Sequence, residues 1–89
     1  MAYEITHVRV DGEYNRSEDH ITDVKLSDGT FESVRQVVGF IDGRMEYFFT
    51  DHLGSKAQVE SVHPSGRPAY IRTKPNQTTT DNLLSLPRF

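Results

Sequence analysis

Apolar positions recur at period two over residues 3–10 and again over residues 20–26, which predicts two strands. The two segments match: Ile5-Thr6-His7-Val8-Arg9-Val10 against Ile21-Thr22-Asp23-Val24-Lys25-Leu26. Both are rich in β-branched residues. Strict alternation puts Thr6, Val8 and Val10 on one face, and Thr22, Val24 and Leu26 likewise. The polar stretch 11–19 between them reads as a long hairpin loop. A likeness this short, occurring once, is not a repeat architecture; it marks two neighbouring strands facing one core.

The period then changes. After the turn Ser27-Asp28-Gly29-Thr30, Val34, Val37, Val38 and Ile41 form a single apolar stripe at helical spacing. Ser33 is placed to cap this helix, and Gln36 to complete a capping box. Gly43 stands where a left-handed C-terminal cap is expected, and Gly39 inside the helix implies close approach to a sheet. Alternation returns over residues 44–51, where Met45, Tyr47 and Phe49 interleave with Glu46, Phe48 and Thr50. A turn at 52–55 leads to a return strand over 56–62. The Pro- and Gly-bearing stretch 63–68 leads to a short last strand over 69–73, ended by Pro75.

The predicted order is β-β-α-β-β-β in one α+β domain, with a mainly antiparallel sheet and one helix across one face. The regular alternation of a doubly wound parallel sheet is missing. Thr78, Thr79 and Thr80 make a polar connector. Leu83, Leu84 and Leu86 then call for burial, so the apolar tail is expected to dock on the domain, in a helical turn started by Asp81 or Asn82.

Composition narrows the function classes. A chain of 89 residues supports one core. It has no cysteine, which excludes disulfides, thiolate metal ligation and cysteine catalysis. The start Met1-Ala2-Tyr3-Glu4 has no leader-like character, and no apolar run approaches the roughly 20 residues of a membrane span, so no membrane association and a cytoplasmic location are expected. The net charge is −3, divided as −6 over residues 1–51 and +3 over residues 52–89. Pairing of the two halves within the fold or between subunits is the expected use of that asymmetry.

Catalytic motifs are missing. No Gly-x-Ser-x-Gly elbow and no glycine-rich phosphate loop occurs, so an enzyme is not expected. His7, His20 and Asp23 could meet across the first hairpin as metal ligands, but exposed strand residues are the expected reading, and neither metal nor cofactor is assigned. Two surfaces remain. Tyr70, Arg72 and Lys74 share a parity on the last strand and Arg67 sits in the turn before it, a basic and aromatic strip able to stack a base and hold phosphates. The consecutive aromatics Tyr47, Phe48 and Phe49 point to both sides of the sheet and, with Leu83 and Leu84, form a candidate interaction surface. The leading expectation is a non-catalytic binding or interaction module acting through a protein partner or a homodimer. The alternative is a weak binder of nucleic acid or another anionic ligand at the strip.

The segment Tyr70-Ile71-Arg72-Thr73-Lys74-Pro75-Asn76, followed by Thr80-Asp81-Asn82-Leu83-Leu84-Ser85-Leu86-Pro87, resembles the ending of a family of small bacterial proteins, domain-of-unknown-function family 3892. Ile5-Thr6-His7-Val8-Arg9, His20-Ile21-Thr22 and the helix stripe ending at Gly43 fit the same family, so the resemblance spans nearly the whole chain. It implies a compact single-domain protein of bacterial or phage origin and carries no activity with it.

Overall fold

A computed structural model of the chain describes residues 2–12, 18–51, 53–74 and 83–89. The elements are β1 (Ala2–Val10), a 3-10 turn (Glu18–His20), β2 (Ile21–Leu26), β3 (Phe31–Ser33), α1 (Val34–Asp42), β4 (Glu46–Thr50), β5 (Lys56–Val62), β6 (Tyr70–Thr73) and a second 3-10 turn (Leu83–Ser85). They form one six-stranded sheet in the order β3-β2-β1-β4-β5-β6. Only β1 and β4 run parallel; the other neighbours are antiparallel. The α+β class with a mainly antiparallel sheet therefore holds, with one strand more than the pattern predicts. β3 is three residues long, too short to carry a period, and runs straight into the helix cap at Ser33.

The likeness between β1 and β2 has a structural cause that simple alternation misses. Ile5 pairs with Leu26 but His7 with Lys25, so Thr6 is an extra residue on β1. Arg9 pairs with Asp23 but Val10 with Ile21, so Thr22 is extra on β2. Each Ile-Thr-x-Val segment thus contains a bulge, which brings Ile5 and Val8 to one face, and Ile21 and Val24 likewise. The inward sets are Ile5, Val8 and Val10, and Ile21, Val24 and Leu26. Thr6 and Thr22, expected to face the core, do not. Each threonine hydroxyl instead lies against the facing strand, Thr6 Oγ1 donating to Lys25 O (3.2 Å) and Thr22 Oγ1 standing 3.3 Å from Arg9 O.

The helix start follows the sequence. Ser33 Oγ accepts from Gln36 N (3.1 Å), and Gln36 Oε1 accepts from Ser33 N (2.9 Å). The helix end departs from it. Gly43 has φ −82°, and Arg44 takes the left-handed conformation at φ 74°. Arg44 N bonds Ile41 O and Met45 N bonds Phe40 O, which is a Schellman termination. Gly39 faces solvent, and a Cβ built on it meets nothing within 4 Å, so close approach is not the reason for that glycine. Gly39→Ala should therefore stabilise the domain by about 1 kcal/mol, because it removes only backbone freedom from the unfolded chain. A higher urea midpoint with an unchanged slope is the expected readout; a lower midpoint would show that the site is not open.

Val34, Val37 and Val38 pack from the helix onto Ile5, Val8, Val24, Tyr47 and Phe49 in one core cluster. The C-terminal tail completes it. β1 pairs with β4 only through Ala2, Tyr3 and Glu4. Past that point the Val8 N–H is satisfied by Pro87 O (3.0 Å), and Arg88 bridges Val8 in parallel register. Leu83 joins the core fully buried, while Leu84 and Leu86 pack partly against it. The expected docking of the tail is thus met within the chain. The connector at Thr78, Thr79 and Thr80, the expected starters Asp81 and Asn82, and Pro75 lie outside the described residues.

Candidate functional site: an aromatic and cationic sheet face

Because Tyr47 and Phe49 point into the core, Phe48 between them points to the face of the sheet opposite the helix. Lys25, between buried Val24 and Leu26, and its partner Phe31 on β3 share that face, as does Arg9 beyond Val8. Three rings there each lie under a cation. The Arg9 guanidinium stands 4.5 Å from the centre of the Phe89 ring, Lys25 Nζ 5.6 Å from Phe31, and Lys56 Nζ 4.7 Å from Phe48.

The tail builds the densest part of this face. Phe89 emerges past the bridge at Arg88 and meets Phe31 at 5.3 Å between ring centres, tilted by 38°. Arg9 Nε donates to Phe89 O (3.2 Å), and Arg88 donates from one terminal nitrogen to Leu84 O (2.9 Å) and Leu86 O (2.7 Å). Arg9, Asp23, Phe31 and Phe89 line a cleft of about 250 Å³. Phe31 nevertheless remains 61% exposed, a large apolar ring held at the surface by its neighbours.

Of the strip expected at the last strand, Tyr70, Arg72 and Lys74 do share a face, but two of its cations are engaged. Arg72 Nε lies 2.6 Å from Glu60 Oε2, and this bond holds the guanidinium even more firmly charged than usual. Arg67 binds Asp19 at 2.8 Å. Beside that pair, Glu18 accepts from Thr73 N (3.1 Å) and Thr73 Oγ1 (3.3 Å). Arg67 and Glu18 thereby fasten the first 3-10 turn along β6, an instance of the acidic first half pairing with the basic second half inside the fold. Tyr70 is half-buried, and Lys74 is exposed beside a cleft of about 230 Å³ that also includes Arg44, Glu46 and Gln58. Both sheet edges are blunted: Thr73 N is taken by Glu18 on β6, and Ser33 N by Gln36 on β3.

The aromatic and apolar set Tyr47, Phe48, Phe49, Leu83 and Leu84 divides. Tyr47, Phe49 and Leu83 are interior, because the helix and tail bury the same side of β4; Phe48 and Leu84 are half-exposed. Tyr47 also has a polar task. Its ring lies 5.5 Å from that of Tyr3, and its hydroxyl donates to Glu32 Oε1 (2.7 Å), tying β4 to β3. Burial first, and the Glu32 bond second, push the Tyr47 pKa above its ordinary value of 10.0.

His7 Nδ1 contacts Thr6 Oγ1 (2.9 Å) and His20 lies 3.9 Å from Asp19, while Asp23 accepts from Thr22, so the three do not converge on a metal position. Among the described residues no group of three His, Cys, Asp or Glu side chains is placed to hold a metal ion. One cluster escaped the sequence reading. Asp42, at the end of α1, accepts from Ser61 Oγ (2.7 Å) on Oδ1 and lies 2.9 Å from His63 Nε2 on Oδ2. The carboxylate is in the middle, so Ser61 gives its proton to Asp42 and is not activated by the imidazole; a nucleophilic triad needs the histidine between the other two. The Ser61 bond, then the His63 bond, holds the Asp42 carboxyl below its usual range. The link between helix end and β5 is therefore present above pH 3.8 and is lost as pH falls below it. No helix among the described residues is long and apolar enough to cross a membrane.

A family model described as "Protein of unknown function (DUF3892)" matches residues 4–87. No curated protein and no solved structure matches the chain.

Proposed function

This chain belongs to the family of proteins of unknown function DUF3892, and because that membership assigns no activity we propose from the geometry that it is a non-catalytic binding module whose outer sheet face takes single-stranded nucleic acid. The observation that carries this reading is the set of three outer-face rings, Phe31, Phe48 and Phe89, each with a cation over it. Rings on an open sheet face stack bases of any sequence, and neighbouring cations hold the phosphates between them.

A protein partner or homodimer is the other reading from sequence. Three of the five residues that motivated it are interior, and both sheet edges are capped by side chains. A second copy docked face to face on Phe31 would also set Arg9 and Lys25 against like charges. These points favour a ligand that brings its own negative charge. The site also moves, from the strip at Arg67, Tyr70, Arg72 and Lys74 to Arg9, Lys25, Phe31 and Phe89. The net charge of −3 makes binding weak and strongly salt-dependent.

Titration of a labelled mixed-sequence single strand at low salt, followed by anisotropy and amide shifts, tests the proposal. Shifts should gather on β1, β2 and β3 and vanish as salt is raised. Phe31→Ala should weaken binding about tenfold, one stacked base being worth roughly 1–3 kcal/mol. No binding, or binding indifferent to Phe31→Ala, would sink the proposal. Light scattering that returns a concentration-dependent dimer dispersed by Phe31→Asp would favour self-association instead.

A further inference from the structure

The cleft lined by Arg9, Asp23, Phe31 and Phe89 holds one feature that general strand binding does not use. Arg9 and Asp23 are register partners on adjacent strands, where a cation and a carboxylate ordinarily pair. Here they make no ion pair with each other. Arg9 turns to Phe89, with Nε on its backbone oxygen and the guanidinium over its ring. Asp23 Oδ2 accepts from the Thr22 hydroxyl (2.9 Å). A guanidinium and a carboxylate thus line one small cleft with aromatic rings beside them.

We infer that this cleft takes a guanine base, with its ring against Phe31, its N7 and O6 toward Arg9, and its N1–H and N2–H₂ toward Asp23. The inference rests on the nucleic-acid reading above. Its basis is the complementarity of donors and acceptors. An arginine offers only donors, and N7 and O6 of guanine are its commonest base partners. An ionised carboxylate offers only acceptors, so it needs a base edge with adjacent donors. Guanine alone among the four bases carries an acceptor pair and a donor pair side by side. Adenine sets an unprotonated ring nitrogen against Asp23, cytosine offers one amino group beside an acceptor, and uracil one N–H between two carbonyl oxygens. A site that hydrogen-bonds its ligand through half-buried Asp23 and exposed Arg9 disfavours bases that leave those groups unmatched. Lys25, whose ammonium lies over Phe31, stands beside the cleft to meet the adjoining phosphate.

Four short single-stranded RNAs decide the matter: an all-uridine strand and three others with one central guanosine, adenosine or cytidine. With the full chain at low salt, the guanosine strand should bind at least about tenfold more tightly than the others, as expected for one matched bidentate pair. Asp23→Asn, which replaces an acceptor-only group by one that also donates, should bring the guanosine strand down to the level of the rest. Arg9→Lys keeps the charge but loses the fork, and should do the same; the two variants guard against misfolding of either, with circular dichroism as the check. Equal affinity for all four strands, with Phe31→Ala still weakening each, would overturn the guanine inference and leave the outer-face proposal standing. Failure of every strand to bind would overturn both.

Discussion

Leu83→Ala should destabilise the domain by about 2–5 kcal/mol, the range for removing a fully buried leucine and leaving a cavity. Leu83 is 0% exposed and belongs to the same core cluster as Phe49 and Ile5, although it follows the last strand. A domain of this size has roughly 5–10 kcal/mol of stability in total, so the loss is a large share of it. The mechanism has two parts. The leucine fills core volume, and it anchors the segment whose Pro87 carbonyl satisfies Val8 N where β1 has left β4. Urea unfolding followed by both tryptophan-free far-UV dichroism and tyrosine fluorescence would measure it. Leu84→Ala, at a half-buried position, should cost about 1 kcal/mol. A Leu83→Ala cost no larger than that of Leu84→Ala would mean that the tail is not part of the core. Loosening the tail should also weaken the binding proposed for the outer sheet face, since Phe89 and the Arg9 contact belong to the same segment.

Asp51→Ala should cost about 2–3 kcal/mol, and Asp51→Asn about half as much. Asp51 is 8% exposed and directly follows β4. Its Oδ1 accepts from Leu53 N (2.9 Å) and Ser55 N (2.8 Å), and its own backbone bonds Ser55 O (2.9 Å) and Gly54 N (3.0 Å). The side chain thereby closes the connection from β4 to β5. Alanine leaves two backbone donors without their acceptor and removes a charge-assisted pair, each such bond being worth roughly 1.5–3 kcal/mol before water recovers part of it. Asparagine keeps an acceptor oxygen and loses only the charge. For a domain of this size the alanine loss corresponds to a fall in Tm of about 10–20 °C. Equal effects of the two variants would show that the carboxylate charge, not the acceptor oxygen, holds the turn.

Asp51 shows why part of the fold was not legible in advance. The residues after it, His52-Leu53-Gly54-Ser55, identify a turn from composition alone. Which acceptor satisfies its backbone donors depends on the path that the turn takes, and Gly54 at φ 85° sets that path only in three dimensions. The bulges are similar. Two copies of Ile-Thr-x-Val signal two related strands, but the extra residue appears only when the strands are paired, and it changes which residues face inward. The candidate site was legible in kind and not in place. An aromatic and basic sheet face was expected at Tyr70 and Arg72, where Glu60 now neutralises Arg72. The cluster at Arg9, Lys25, Phe31 and Phe89 draws on β1, β2, β3 and the tail, and no local window contains it.

The sequence by itself determined the elements whose signals are local: the helix with its Ser33 and Gln36 box and valine stripe, the existence of the long strands, the demand of Leu83 for burial, and the absence of thiol chemistry. Only the tertiary structure decided the strand order, the third strand, the pairing of acidic and basic halves through Arg67 and Asp19, and the side of the sheet that carries the cations. The physical reason is range. Periodicity and capping are satisfied within one turn or one strand, whereas ion pairs, bulge registers and ring contacts are settled by whichever segments the common core brings together.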